Sequence, residues 1–271
     1  MQLRNPITGN PMTGSSSGTA INVFLGINDL GIGTDGGGSV LAPAMSLQCY
    51  GFISPKLEQE HMKKYKRDST DGLCFTPSLG FISRDLSVIK KAAEICLNLK
   101  ENNAPVQILY QKTIKEKLKQ LGQVAEKADI KADSLVFPDF DNRRDPMIDF
   151  LRKNLPKCDV LIGYEKKIDV NGMGDSIFGH FDEETQAMQL KSGKFFVRAV
   201  NMAGATALCI PDTALASGYV LICESKTEKI EKLFQIAEKF PMVRDELADR
   251  YFRNADVYFS YGALEEGLLG E

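Results

Sequence analysis

Residues 14 to 39, reading GSSSGTAINVFLGINDLGIGTDGGGS, constrain this chain more than any other stretch. Three consecutive serines stand at one end and a triple glycine closing on a serine at the other. A flexible Gly/Ser linker is poor in apolar residues throughout. Here Ala20, Ile21, Val23, Phe24 and Leu25 lie between the two small-residue ends and need a core to bury them. The pattern is that of a site.

Gly36, Gly37 and Gly38 let the backbone adopt positive φ and turn several N–H groups toward one point, since no Cβ obstructs them. Such donors beside a serine hydroxyl are what acyl transfer requires, because the oxyanion forms next to the attacked carbonyl. Ser39 is therefore the candidate nucleophile. A serine hydroxyl must hand its proton to a neighbour. The two histidines, His61 and His180, stand in no triad motif, and the chain has no G-x-S-x-G elbow of the α/β-hydrolase kind.

The two blocks resemble the core of the amidase signature family, whose members carry a G-S-S-G-G block followed by G-T-D-x-G-G-S-[IV]-R-x-P-A. The matching residues are Gly14 to Gly18, then Gly33, Thr34, Asp35, Gly36, Gly37, Gly38, Ser39, Val40, Leu41, Ala42, Pro43 and Ala44, with the family's own spacing between the blocks. The resemblance implies Ser39 as nucleophile and Ser15 as the serine on a cis peptide that relays the proton. It implies an oxyanion hole from the backbone N–H groups of Gly36, Gly37, Gly38 and Ser39, with Ser16, Thr34 and Asp35 in support. Weaker matches follow at Pro77 to Leu79, with Gly80 where the family has aspartate, and at Asn201, Gly204, Ala207, Leu208 and Pro211.

Two family features have no counterpart. The arginine two residues after the nucleophile is Leu41. The family's general-base lysine lies well upstream of the serine block, but residues 1 to 14 contain Arg4 as their cation, and arginine is too basic to act as a base. The Arg4-Asn5-Pro6 lead-in places Met1 in the middle of the expected fold. Three routes reconcile the retained serines with the lost lysine. A partner subunit or second copy could fill the exposed face and supply the base, one of the chain's own lysines could take its place, or the protein is an inactive amidase-like binding or regulatory subunit. The first leads the reading: an amidase acting on a small carboxamide, with the exposed flank covered by a partner or an oligomer.

Other classes fit less well. Gly31, Gly33 and Gly36 satisfy G-x-G-x-x-G, yet the βαβ context and the acidic residue of a dinucleotide site are not evident. The formal net charge of −3 does not favour nucleic acid. No segment reads as a signal peptide or membrane span. The six cysteines form no C-x-x-C pair and read as reduced core thiols of a cytoplasmic protein. The acidic run Asp182 to Glu184 reads as a solvated turn, so no metal and no organic cofactor is expected.

With 271 residues, 43% of them hydrophobic, the chain can bury one substantial core. Helices are predicted over 19–25, 39–47, 112–127, 145–154 and around 245–252. Another runs from residue 86 with Ser83 as cap, its stripe being Leu86, Ile89, Ala93 and Cys96. A further stripe joins Ile230, Leu233, Phe234, Ala237 and Phe240. Strands are predicted over 30–34, 106–110, 134–138, 159–163 and 219–223, and residues 166–192 as loop. This alternation implies a layered α/β fold with a mixed, largely buried sheet covered by helices. One domain is expected over residues 1–271, with its core at 4–240 and an extra tail at 241–271.

Overall fold

The computed structural model describes residues 3–69, 71–100, 104–120, 130–172, 182–243 and 245–260. In chain order the strands are β1 Gly31–Asp35, β2 Tyr50–Ser54, β3 Arg67–Asp68, β4 Cys74–Phe75, β5 Ser78–Ser83, β6 Val106–Gln111, β7 Ile130–Leu135, β8 Val160–Glu165, β9 Ala205–Pro211 and β10 Gly218–Glu224. The helices are α1 Ser17–Phe24, α2 Leu41–Ser46, α3 Gln59–Met62, α4 Leu86–Leu97, α5 Lys115–Gln120, α6 Arg144–Asn154, α7 Glu183–Leu190 and α8 Thr227–Ala237.

Eight strands form one sheet in the order β1-β5-β2-β9-β10-β8-β6-β7, and β3 pairs with β4 as a separate ribbon. Pairing is antiparallel from β1 to β8 and parallel between β6 and its two neighbours. The sheet is thus mixed, as the sequence implies. Every residue of β9 is buried, because helices cover both faces and a strand of that kind is apolar without alternation. Ala207 and Cys209 join Phe24, Leu41 and Met147 on one face. Leu208 and Ile210 join Ile89, Leu118 and Phe234 on the other. So α1, α2 and α6 cover one side, and α4, α5 and α8 the opposite one.

Several boundaries differ from the sequence reading, each for a local reason. Asp85 caps α4, its Oδ1 accepting from the Ser87 N–H at 2.8 Å. Ser83 instead closes β5, its hydroxyl donating to the Asp29 carbonyl. The buried face of α4 is Ile89 and Ala93, whereas Cys96 is exposed and the partly buried Leu97 continues the stripe. Strand β7 starts earlier than predicted, because its parallel register sets Ile130 against Val106 and Leu135 against Gln111. The predicted helix over 112–127 is a 3₁₀ turn followed by α5, and residues 121–129 lie outside the described residues.

Within the stretch read as loop, α7 forms over Glu183–Leu190. Asp182 accepts from the Thr185 N–H at 2.8 Å, and Glu183 and Glu184 occupy the first turn, where negative charge suits the helix dipole. His180, Gly174 and Gly179 lie outside the described residues. The predicted helix near 245–252 takes the form of a π-helical turn over Ala248–Phe252. Residues 245–260 pack back on the start of the chain: Arg253 lies over the Phe24 ring, and the Tyr258 hydroxyl donates to the Arg4 carbonyl at 2.9 Å.

Candidate active site

Strand β1 is the edge of the sheet and delivers the glycine turn at its C-terminal end. Its last residue, Asp35, is fully buried. The carboxylate accepts from the backbone N–H groups of Gly38 (2.7 Å), Val40 (2.8 Å) and Leu41 (3.1 Å). Asp35 therefore folds the chain back on itself and caps α2, satisfying donors that the first turn of a helix leaves open. Burial pushes its carboxyl pKa up, against the opposing pull of these N–H groups.

The turn needs its glycines. Gly38 has φ +101°, in the region that side chains disfavour. The Phe75 ring lies directly on Gly36 and leaves no room for a Cβ. The Gly38 N–H belongs to the set expected for the oxyanion hole, and it is engaged by Asp35.

The serine block meets this turn through the backbone. The Ser16 N–H donates to the Ser39 carbonyl at 3.0 Å, and the Gly14–Ser15 peptide bond is cis. The Ser17 hydroxyl donates to the Thr13 carbonyl at 2.9 Å, anchoring the start of α1. Ser15 is exposed, Ser16 and Ser39 are half-buried, and Thr34 faces solvent on β1 opposite Leu79.

Three further residues hold the turn, and sequence reasoning gave them no role. Asn201, noted there as a motif position only, accepts from the Ser78 hydroxyl and donates to the carbonyls of Thr76 (2.9 Å) and Gly36 (3.4 Å). It thereby ties β5 to the glycine turn. Substituting Asn201 by alanine strands buried partners and is expected to cost about 2 kcal/mol of stability, read as a lower urea midpoint. Glu165 accepts from the N–H groups of Phe195 (2.6 Å) and Val197 (3.2 Å), and burial pushes its pKa up to about 7. Arg144 reaches the turn from the start of α6: a Cβ on Gly37 would lie 2.9 Å from its Nη1. Its Nε donates to Asp71 at 2.6 Å, which helps hold the Asp71 carboxyl below its ordinary range despite partial burial. One arginine of an adjacent pair, Arg143 and Arg144, in a polar run carries no sequence signal for such a role.

His61 is exposed and rests on Tyr65. Cys49, Cys158, Cys209 and Cys223 are buried and Cys74 and Cys96 exposed, all as free thiols. Among the described residues no group of three or more His, Cys, Asp or Glu side chains could hold a metal ion. No helix among them is long and apolar enough to cross a membrane.

This architecture is that of the amidase signature enzymes. A bacterial aryl acylamidase of that family superposes with a TM-score of 0.59 at 15% identity, covering 92% of this chain and 69% of the relative. An amidase family protein from Bacillus anthracis str. Ames gives 0.53 at 13% identity, over 89% and 63%. The native peptide amidase from Stenotrophomonas maltophilia gives 0.52 at 14% identity, over 88% and 68%. The chain spans about two thirds of the length of these structures. In sequence, residues 2–131 match the Amidase family model, so the resemblance holds both for the fold and for the segment that carries the glycine turn. No curated protein sequence matches the chain.

Proposed function

We propose that this chain hydrolyses a small carboxamide through an acyl-enzyme on Ser39. The observation that carries the reading is the Ser16 to Ser39 backbone bond, which sets the serine block with its cis Gly14–Ser15 peptide against a glycine turn. In this reading Ser39 Oγ attacks the amide carbonyl and its proton passes to Ser15 Oγ. The N–H groups of Gly36 and Gly37 face the developing oxyanion, since Asp35 holds that of Gly38. Collapse of the intermediate releases the amine, which takes the proton from Ser15. Water then cleaves the Ser39 ester by the same route in reverse. The aryl acylamidase and peptide amidase among the structural relatives support a carboxamide as the substrate class.

The general base comes from outside the residues at the turn. The cation that touches it is Arg144, and an arginine stays protonated. We assign the base to a partner subunit or second copy that covers this flank. The same arginine favours a second reading, an amidase-like subunit that binds its ligand without turnover. Intact mass after exposure to a fluorophosphonate probe separates the two. A single adduct that disappears in Ser39→Ala supports the hydrolase, and folded protein that takes no adduct either alone or in a lysate of its source cell supports the binding subunit.

A further inference from the structure

Resting on the reading that the ligand sits at the glycine turn, we propose that this ligand carries a carboxylate on its acyl part, held by Arg144 and Arg198. The class of compound is a half-amide of a short dicarboxylic acid.

The Arg144 guanidinium reaches the middle of the turn, and Arg198, whose charge interacts with it, borders the turn through its backbone. Arg144 has a side-chain exposure of only 15%. Its Nε and Nη2 are both used on Asp71, while Nη1 occupies the room left by the missing side chain of Gly37. Arg198 follows Val197, whose carbonyl packs on Gly38, and the Arg198 carbonyl packs on Gly37. Its Nη2 donates to the Asn142 carbonyl. Its Nε is buried without a hydrogen-bond partner among the described residues.

A buried guanidinium donor without an acceptor is costly, and two positive groups side by side add to the cost. Burial lowers the Arg198 pKa, and the neighbouring Arg144 charge lowers it further. The carboxylates in range are otherwise occupied. Asp71 is shared with Ser69, Glu165 is bonded to Phe195 and Val197, and Asp35 is enclosed by the amides it caps. An incoming carboxylate supplies the missing acceptor and the missing charge together, in the kind of pairing that guanidinium groups make best.

The walls suit a short chain between amide and carboxylate. Phe75 covers Gly36, and the Met202 Cε lies 3.6 Å from where a Gly37 Cβ would be. Beyond these two side chains opens a cleft of about 300 Å³ that carries Lys63, Lys66 and Arg152 and has no acidic residue among the described residues of its lining. Lys63 is partly offset by its pair with Glu60. A cleft of one sign raises the local concentration of the opposite charge, so an anion is drawn to the turn.

The test is calorimetric binding of succinamate and of its neutral isostere butyramide to the Ser39→Ala chain, where turnover plays no part. Succinamate is expected to bind about tenfold or more tightly, roughly one guanidinium–carboxylate pair. In the same background Arg144→Gln is expected to abolish the preference. Asp71→Asn removes the countercharge of Arg144 and releases one of its donors, and is expected to strengthen succinamate binding, an effect that loss of packing would not produce. Equal binding of the two amides, binding of neither, or a preference kept by folded Arg144→Gln overturns the proposal. A succinamate preference in a chain whose Ser39 takes no probe would leave the anion site standing and remove the hydrolase reading. Equal hydrolysis of both amides by the unsubstituted chain would do the reverse.

Discussion

Replacing Asp35 by alanine is expected to lower the unfolding free energy by about 4 kcal/mol, which places it among the most damaging single changes available to this chain. The side chain is fully buried, and its removal leaves the N–H groups of Gly38, Val40 and Leu41 without their acceptor. These donors cannot reach water in the surrounding packing, so each retains most of its desolvation cost. The loss falls on the turn itself. The fraction of Asp35→Ala that stays folded should therefore take up fluorophosphonate at Ser39 far more slowly than the parent chain. Urea titration gives the stability and intact mass the labelling. Asp35→Asn keeps one acceptor oxygen and should fall between the two. An alanine variant with an unchanged urea midpoint would show that the carboxylate does not hold the turn.

The second large effect is on pH dependence and belongs to Glu165. Burial raises its pKa from 4.5 to about 7, while the N–H groups of Phe195 to Val197 and the Arg198 charge pull the other way. Between those two values the native protein holds a proton that the unfolded chain has released. Stability therefore falls as pH rises through this window, by about 3 kcal/mol in all, and levels off above it. Glu165→Gln cannot titrate. It should show a flat profile where the parent slopes downward, with a constant cost from the one N–H its single carbonyl oxygen leaves unpaired. Urea midpoints at intervals from pH 4.5 to 8 check this, and equal slopes in the two proteins would exclude Glu165 as the source. The segment it clamps packs on Gly38, so its ionisation reaches the site through the backbone.

Much of the fold was legible because the relevant patterns are local. The apolar runs at Val160 and Tyr219 are strands, since residues buried on both faces of a sheet need no alternation, and the run at Val106 is a strand of which only Val106 and Ile108 are buried. The glycine turn and the serine block could be read because their small residues make sense only where backbone must approach backbone. Strands β2 and β5 escaped prediction, although all but one of their residues are buried, because glycines and serines interrupt their apolar runs. Phe75, Arg144, Asn201 and Glu165 were assigned no role for a different reason. Each acts through partners far away in sequence: Arg144 on Asp71 lies 73 residues away, and Asn201 on Gly36 lies 165. No periodicity or spacing announces a contact of that range. Asp35 was named as support, but the job it performs is visible only once the turn closes over it.

The seam between β2 and β9 has a consequence for how this protein acquires its shape. The two strands pair directly, and their flank is tied by a hydrogen bond between Ser54 and Thr206, which stand 152 residues apart. Loop closure over such a distance is slow relative to local contacts. Strands β1, β5 and β2 can zip together early, yet they stay uncovered along β2 until residues beyond 205 have left the ribosome. At ordinary elongation rates of about 5–20 residues per second, that is a delay of roughly six to twenty-five seconds. Through that interval the half-sheet with the glycine turn presents an open apolar edge, so recovery of this chain in cells should depend on chaperone supply more steeply than its final stability would suggest.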